Sequence, residues 1–218
     1  MVEAQTSDGE MVSELRNQPV QARSGPTVTA VLQSAASVVD CVGADRLTLE
    51  LVAVAAGVSI GTVYRYFEDS HHLLDALGNV HLERFTTECL QKISPRRNPI
   101  WSHAVGSVLD YLENEFREQP GFRSIRFGDH LDGRGHPRDQ TNVSIAAARL
   151  GQTLADNYPL IIHTTILHRV EVAVVLYDAM LSRAFALDDS GDPRMITTAY
   201  QIAIDHLTEP EYRHTAGR

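Results

Sequence analysis

Apolar residues recur along most of the chain at intervals of three and four positions, which is the spacing of an amphipathic helix. Strand-like alternation of apolar and polar residues is almost absent. Pro26 suits the first turn of an opening helix and Gly43 suits its end. The pattern therefore predicts an all-α protein. Its predicted helices cover about residues 26–42, 49–56, 60–66, 70–93, 99–118, 120–127, 139–157, 159–187 and 192–208.

The stretch from Thr48 to Phe67, TLELVAVAAGVSIGTVYRYF, has the residue types that two short crossing helices need. Small side chains at Ala53 and Ala56 permit close approach, and Gly57 supplies the turn between the helices. Ahead of each helix stands a hydroxyl residue that suits an N-cap. This spacing predicts a helix-turn-helix whose second helix enters the major groove of DNA.

Hydroxyl, aromatic and cationic side chains on the exposed faces of this motif are candidates for DNA contact. Hydroxyls and tyrosines suit phosphate anchoring, and an arginine suits a guanine edge or a phosphate. An ordinary solvated helix face is the alternative for the tyrosines and the arginine. The candidate residues are Thr48, Ser59, Ile60, Gly61, Thr62, Tyr64, Arg65, Tyr66 and His71.

Jointly, several short motifs resemble the N-terminal domain of the tetracycline-repressor (TetR) family of transcriptional regulators. The resemblance covers about residues 26–75 and implies an all-α homodimer with a three-helix DNA-binding head, a linking fourth helix and a larger ligand-sensing domain. It also implies a dimer interface on the last two long helices, at about residues 160–187 and 193–207. The motifs are Val31-Leu32-Gln33-Ser34-Ala35, Gly43, Thr48, Val52-Ala53, Ala56-Gly57-Val58-Ser59, Gly61-Thr62-Val63-Tyr64 and Tyr66-Phe67.

The sequence departs from that family in the charge of the head. Many members carry a lysine at the start of the fourth helix, whereas this chain has Asp69-Ser70-His71-His72. Residues 23–70 contain three arginines against five acidic residues, a formal charge of −2. Weak nonspecific DNA binding is therefore expected. His71, His72 and Arg23 are the candidates to replace the missing anchor.

Length, composition and charge limit the other possibilities. The 218 residues are 43% hydrophobic and 22% charged, which is typical of a folded globular chain. A net charge of −9 restricts DNA contact to a local surface. We expect a disordered arm over residues 1–24, a DNA-binding domain over 25–70 and a sensing and dimerisation domain over 71–218. A cytoplasmic location without membrane contact is also expected, with Cys41 and Cys89 reduced and packed in the core.

For the sensing domain, the resemblance places a set of aromatic and polar residues around the family's central pocket. Mostly apolar walls with a few polar groups are typical of such a pocket, and the effector is expected to be a small apolar or amphipathic molecule. Ordinary core packing is the alternative for each aromatic residue. The candidates are Trp101, Tyr111, Phe122, Phe127, His163, Arg169 and Tyr177.

Enzymatic and metal-dependent functions find no support in the sequence. Nucleophile elbows, metalloprotease motifs and phosphate-cradling loops are absent, and the histidines lack the spacing of a dedicated metal site. We therefore expect no catalysis, no cofactor and no metal. The predicted function is a ligand-responsive regulator, a repressor released from palindromic double-stranded operator DNA by an effector. The alternative is a helical ligand-binding or interaction protein whose head cannot bind DNA.

Overall fold

A computed structural model describes residues 25–126, 142–158 and 163–208, and every regular element in these ranges is helical. This confirms the all-α prediction. The predicted arm over residues 1–24 lies outside the described residues. The helices are α1 (Gly25–Val42), α2 (Leu49–Ala56), α3 (Ile60–Tyr64), α4 (Ser70–Lys92), α5 (Trp101–Glu118), α6 (Phe122–Ile125), α7 (Asn142–Asn157), α8 (His163–Leu187) and α9 (Pro193–Thr208).

The N-terminal core forms where α1, α2 and α3 meet the start of α4. Val31, Ala35 and Val39 share one face of α1, and all three are fully buried. Val63 of α3 and Leu73 of α4 are equally buried against them. The apolar periodicity of α1 therefore orients its helix as the sequence predicts, because residues three and four positions apart lie on one face.

A second and larger core lies among α4, α5, α7, α8 and α9. The pairs α8–α9 and α7–α8 pack most extensively against each other. Helix α4 belongs to both cores, since Leu73 and Leu77 near its start pack in the N-terminal core while Phe85 and Cys89 pack in the larger one. It is thus one rigid element that spans both parts of the molecule.

The short helix α6 also contributes to both cores. Phe122 at its start is buried in the larger core, whereas Ile125 at its end is buried in the N-terminal core. Just before α6, the Gly121 amide donates to the Asp40 carboxylate of α1 over 3.2 Å. The helix is shorter than the predicted 120–127 because Gly121 and Arg126, which flank it, have positive φ values of 72° and 49°. Helix α1 therefore rests directly on α6.

Gly121→Ala is expected to destabilise the fold by about 2 kcal/mol, because left-handed backbone disfavours alanine and the α1 backbone is close. A Cβ at this position would lie 2.8 Å from the carbonyl oxygen of Ala36. Gly43→Ala is the matched control, since Gly43 also has a positive φ but nothing within 4 Å of its Cβ position. We expect about 1 kcal/mol for the control. Urea unfolding of both variants measures the difference, and equal losses would contradict the α1–α6 contact.

One packing expectation is wrong. Cys89 is fully buried on α4, as expected, but Cys41 is exposed. Cys41 lies in the last turn of α1, two positions after Val39, and so on a different face from the buried Val31, Ala35 and Val39. Helical periodicity, and not the apolar neighbourhood in sequence, decides its exposure.

Candidate nucleic-acid interface and effector cavity

The turn between α2 and α3 has the local geometry that the sequence predicts. The Thr48 hydroxyl accepts the amide of Leu51 over 3.3 Å and caps α2. Gly57 ends that helix in left-handed backbone, with φ 65° and ψ 29°. The Ser59 hydroxyl then accepts the amide of Thr62 over 3.2 Å and caps α3. These caps and the glycine define a helix-turn-helix from local interactions alone.

The structure brings the predicted contact residues of α3 together on its outer surface. Val63 faces inward and is fully buried, whereas Ile60, Gly61 and Tyr64 are exposed. The hydroxyl oxygens of Ser59 and Thr62 lie 2.8 Å apart. The outer face of α3 is therefore free to meet another surface.

Arg65 and Tyr66 contact each other rather than solvent alone. The Arg65 guanidinium lies 4.7 Å from the centre of the Tyr66 ring and donates to the Tyr66 hydroxyl. Tyr66 itself is half-buried against the N-terminal core. Since α3 ends at Tyr64, both residues belong to the following turn and not to the helix predicted as far as residue 66.

An acidic side chain lies beside the outer face of α3. The Tyr64 hydroxyl donates to the Glu50 carboxylate of α2 over 3.5 Å. Hydrogen bonds from the Glu50 amide, the Thr48 hydroxyl and Tyr64 hold the pKa of Glu50 below its usual range. Glu50 thus stays ionised, and it adds negative charge next to the predicted DNA contacts.

The start of α4 carries an acidic cap and not the lysine that the resemblance led us to compare it with. The Asp69 carboxylate accepts the amide of His72 over 2.8 Å, and this hydrogen bond lowers the pKa of Asp69. His71 and His72 are exposed, and His72 Nδ1 accepts the Glu68 amide over 3.4 Å. His71 is accessible as predicted, and its contact with phosphate stays a prediction.

A cavity of about 260 Å³, part of it open to solvent, lies in the larger core. Side chains from α5, α7, α8 and α9 surround it, together with one residue just after α4. Within the part of the chain that the structure describes, all of its lining residues are apolar, so these residues offer no buried charge or hydrogen-bonding side chain to a ligand. The lining residues are Ile93, Val105, Val108, Leu109, Leu150, Leu154, Val170, Ala173, Val174 and Leu207.

Among the residues predicted to bind the effector, none of those that the structure describes lines this cavity. Trp101 and Tyr111 are half-buried against the larger core, and Phe122 and Tyr177 are fully buried within it. Arg169 donates to the carbonyl oxygen of Leu207 over 3.4 Å. Phe127 and the side chain of His163 lie outside the described residues. The assignment of these seven residues to an effector site therefore stays a prediction.

A cluster of polar side chains between α5, α8 and α9 was not predicted from the sequence. The Tyr177 hydroxyl donates to Glu113 over 3.5 Å, and its ring packs edge-on against Tyr200 at 6.4 Å between centres. Burial, followed by the nearby charge of Glu113, raises the pKa values of both Tyr177 and Asp110. Helical spacing marks Tyr177 as buried, but it cannot show that carboxylates from α5 face it.

A buried polar junction joins α4, α6 and α8; we call His81, Arg126 and Asp178 the α4–α6–α8 junction. Nδ1 of His81 donates to the Arg126 carbonyl oxygen over 3.0 Å. The Arg126 guanidinium donates to the Asp178 carboxylate over 2.8 Å, with side-chain exposures of 13% and 9%. Asp178 lies one turn beyond Val174, which lines the cavity. The junction therefore connects the wall of the cavity to the helix that enters the head.

His81 is kept neutral by its surroundings. Burial lowers its pKa to about 4, the Arg126 carbonyl partly opposes this shift, and the positive charge of Arg84 adds to it. Arg84 itself is paired with Glu115 of α5. A neutral ring with its proton on Nδ1 satisfies the contact with Arg126.

The described ranges, 25–126, 142–158 and 163–208, contain neither a cluster of metal ligands nor a membrane-spanning helix. No three histidine, cysteine, aspartate or glutamate side chains within these residues gather as metal ligands would. No helix within them combines the length and hydropathy needed to span a bilayer.

Both parts of the sequence match models of one protein family. Residues 31–77 match the model described as bacterial regulatory proteins, tetR family, and residues 99–211 match the model described as Tetracyclin repressor-like, C-terminal domain. The chain belongs to the TetR family. It is a ligand-responsive, DNA-binding transcriptional regulator and not an enzyme.

Solved structures agree with this assignment. A TetR-family transcriptional regulator from Streptomyces coelicolor is 29% identical, with a TM-score of 0.71 over 85% of this chain and 97% of that one. The fatty acid degradation regulator FadR from Bacillus halodurans is 13% identical, with a TM-score of 0.65 over 86% and 99%. AlkX from Dietzia, implicated in biodegradation of n-alkanes, is 16% identical, with a TM-score of 0.55 over 82% and 92%. No protein of curated function matches the sequence significantly.

Proposed function

We propose that this chain is a homodimeric repressor that binds a palindromic operator and releases it when a small apolar or amphipathic effector binds. The observation that carries the DNA-binding part is the capped turn around Gly57, which leaves the outer face of α3 exposed. In a symmetric dimer, two such helices meet successive major grooves about one helical turn apart. Residues 25–70 form the DNA-binding unit in this proposal, and residues 71–218 sense and dimerise. We place its action in the cytoplasm.

Selection of bound sequences from a random duplex pool tests the proposal. An enriched palindrome with half-sites about 10 base pairs apart is the expected result. A salt titration on the enriched duplex then counts the released counterions. Since the described part of the head offers only Arg46 and Arg65 as arginines, we expect a shallow salt slope. Failure to enrich any duplex near about 50 mM salt supports the alternative of a DNA-incompetent head.

The proposed dimer interface lies on α8 and α9, because exposed apolar side chains remain on both helices. Val175 and Ile202 are 46% and 41% exposed. Val175→Asp and Ile202→Asp are each expected to yield folded monomers, since dimerisation would bury an unpaired carboxylate. DNA affinity should fall about a hundredfold because one half-site is lost. Analytical ultracentrifugation and DNA titration measure both effects.

Val80→Asp on α4 is the matched control for this prediction, since Val80 is an exposed valine too, at 44%. It should remain dimeric and bind DNA like the wild type. Dimers that persist in both interface variants would place the interface elsewhere on the molecule.

The apolar cavity supports an apolar effector. Because its volume of about 260 Å³ includes open solvent, the enclosed space is far smaller than the range of about 300–1,000 Å³ that is usual for small-molecule sites. Side chains must therefore move when an effector enters. An effector can release DNA only by preferring this expanded state to the DNA-bound state. Helix α4 and the α4–α6–α8 junction are the proposed route to the head.

Ala173→Leu is expected to abolish the effector response, because the added carbons occupy the cavity that Ala173 lines. A series of straight-chain alcohols serves as the probe, with DNA affinity as the readout. The alcohol with the largest effect should lower the DNA affinity of the wild type about tenfold and leave that of the variant unchanged. Ala148→Leu, at an exposed alanine of α7, is the control. An unchanged response in Ala173→Leu would contradict an effector site in this cavity.

A further inference from the structure

Large apolar side chains are exposed on the helix-turn-helix to an unusual degree. Of nine such side chains among the described residues, four lie between Leu51 and Tyr64. Two of them, Ile60 and Tyr64, are 38% and 53% exposed on α3. Four residues apart, they lie on the same side of the helix. The outer face of α3 is therefore largely apolar.

Between these two side chains the surface is open. A Cβ at Gly61 would meet nothing within 4 Å except the Ser59 hydroxyl, at 3.9 Å. With no side chain at Gly61, another surface can approach the helix backbone beside Ile60. Whatever docks on this face therefore contacts Ile60 directly.

The polar groups around this face are already engaged within the head. Ser59 and Thr62 share a hydrogen bond, the Tyr64 hydroxyl bonds to Glu50, and Arg65 bonds to Tyr66. A guanine is most often read by two hydrogen bonds from an arginine or a lysine, and a thymine by apolar contact with its 5-methyl group. The exposed apolar side chains and the engaged polar groups of α3 favour apolar contact with a thymine methyl group.

We propose that Ile60, supported by the Tyr64 ring, reads thymine in each half-site through apolar contact with the 5-methyl group. This inference rests on the proposed DNA-binding function and names the base chemistry of that site. The negative charge of Glu50 beside Tyr64 adds to the argument, because it disfavours close phosphate contact at this point. Base edges in the groove, and not the backbone, are then the surface that covers Ile60.

Uracil substitution tests the inference on the duplex enriched by selection. Each thymine in turn is replaced by uracil, which lacks only the methyl group, and the Kd is measured by fluorescence anisotropy. We expect one thymine in each half-site to be sensitive to this replacement. Uracil at that position should raise the Kd about fourfold when one half-site is changed and about fifteenfold when both are changed, because each replacement removes one buried methyl group. Replacements at the other thymines should change the Kd by less than about twofold.

Ile60→Ala identifies the side chain that reads the methyl group. In this variant the thymine and uracil duplexes should bind equally, because the apolar partner is gone. Alanine at an exposed helical position is compatible with folding. Val80→Ala, which shortens an equally exposed valine on α4, should keep the full sensitivity to uracil.

The outcomes separate the inference from the function on which it rests. Specific binding with no sensitivity to uracil at any position overturns the methyl contact and leaves the regulator intact. Uracil sensitivity that persists in Ile60→Ala assigns the contact to another residue and likewise overturns the inference. If no duplex is enriched at all, the proposed function fails and the inference fails with it.

Discussion

Arg126→Ala is expected to lower the free energy of unfolding by about 3–5 kcal/mol, which is the usual cost of removing one partner from a buried ion pair. The variant leaves the Asp178 carboxylate, with a side chain 9% exposed, without the guanidinium that donates to it. Loss of the ion pair also removes a side-chain link between Arg126, just after α6, and α8. Urea unfolding monitored by circular dichroism measures the change.

A surface ion pair supplies the control for this prediction. Arg149 lies 3.6 Å from Glu83, and their side chains are 49% and 69% exposed. Because water screens such a pair, Arg149→Ala should cost less than about 1 kcal/mol. Equal losses in Arg126→Ala and Arg149→Ala would show that the α4–α6–α8 junction is solvated in solution.

The backbone of Arg126 gives a second reason to expect a large effect. Among the described residues it is the one non-glycine with a positive φ, 49°, a region that favours glycine. Its side chain is held by Asp178 and its carbonyl by His81. Since these contacts oppose the backbone strain, the loss of the guanidinium should also let the end of α6 relax.

The protein is expected to lose about 3 kcal/mol of stability through His81 alone as the pH falls from about 6.5 to about 4. Burial lowers the pKa of His81 from 6.5 to about 4 in the folded state. Between these two values the unfolded chain binds a proton that the folded chain does not. This contribution is therefore fully present above the unfolded pKa and is lost as the pH approaches the folded pKa.

Comparison with His81→Gln isolates this titration from that of the carboxylates. The glutamine amide does not titrate in this range and can still donate to the Arg126 carbonyl. The difference in unfolding free energy between wild type and variant should change by about 3 kcal/mol between pH 7 and pH 4. A parallel curve for His81→Gln would instead indicate that water reaches the His81 ring.

Interactions between residues close together in the sequence were sufficient to predict much of the DNA-binding head. A hydroxyl before each helix and a glycine between them act within three or four residues, so Thr48, Gly57 and Ser59 could be assigned from their neighbours alone. The inward face of α3 was also readable, because Val63 is the apolar residue that the motif spacing turns toward the core. The contact between Arg65 and Tyr66 could not be predicted from the sequence, because it depends on how the chain turns after α3.

The effector region was predictable only in its apolar character. Periodicity indicates that Tyr177 and Phe122 are buried, but it cannot tell which helix faces them. The cavity instead lies beside Ala173 and Val174 on α8. Its walls come from four helices and the residue after a fifth, and small differences in how these helices pack decide where space remains.

The sequence by itself determined the helical class, the capped turn and the family of this protein, because these depend on residues close together along the chain. Only the tertiary structure decided that α6 contributes to both cores and that His81, Arg126 and Asp178 meet. These residues are 45 and 52 positions apart in the two contacts. Once these residues are in contact, their electrostatic interactions are strong, because packing excludes the water that would otherwise screen them.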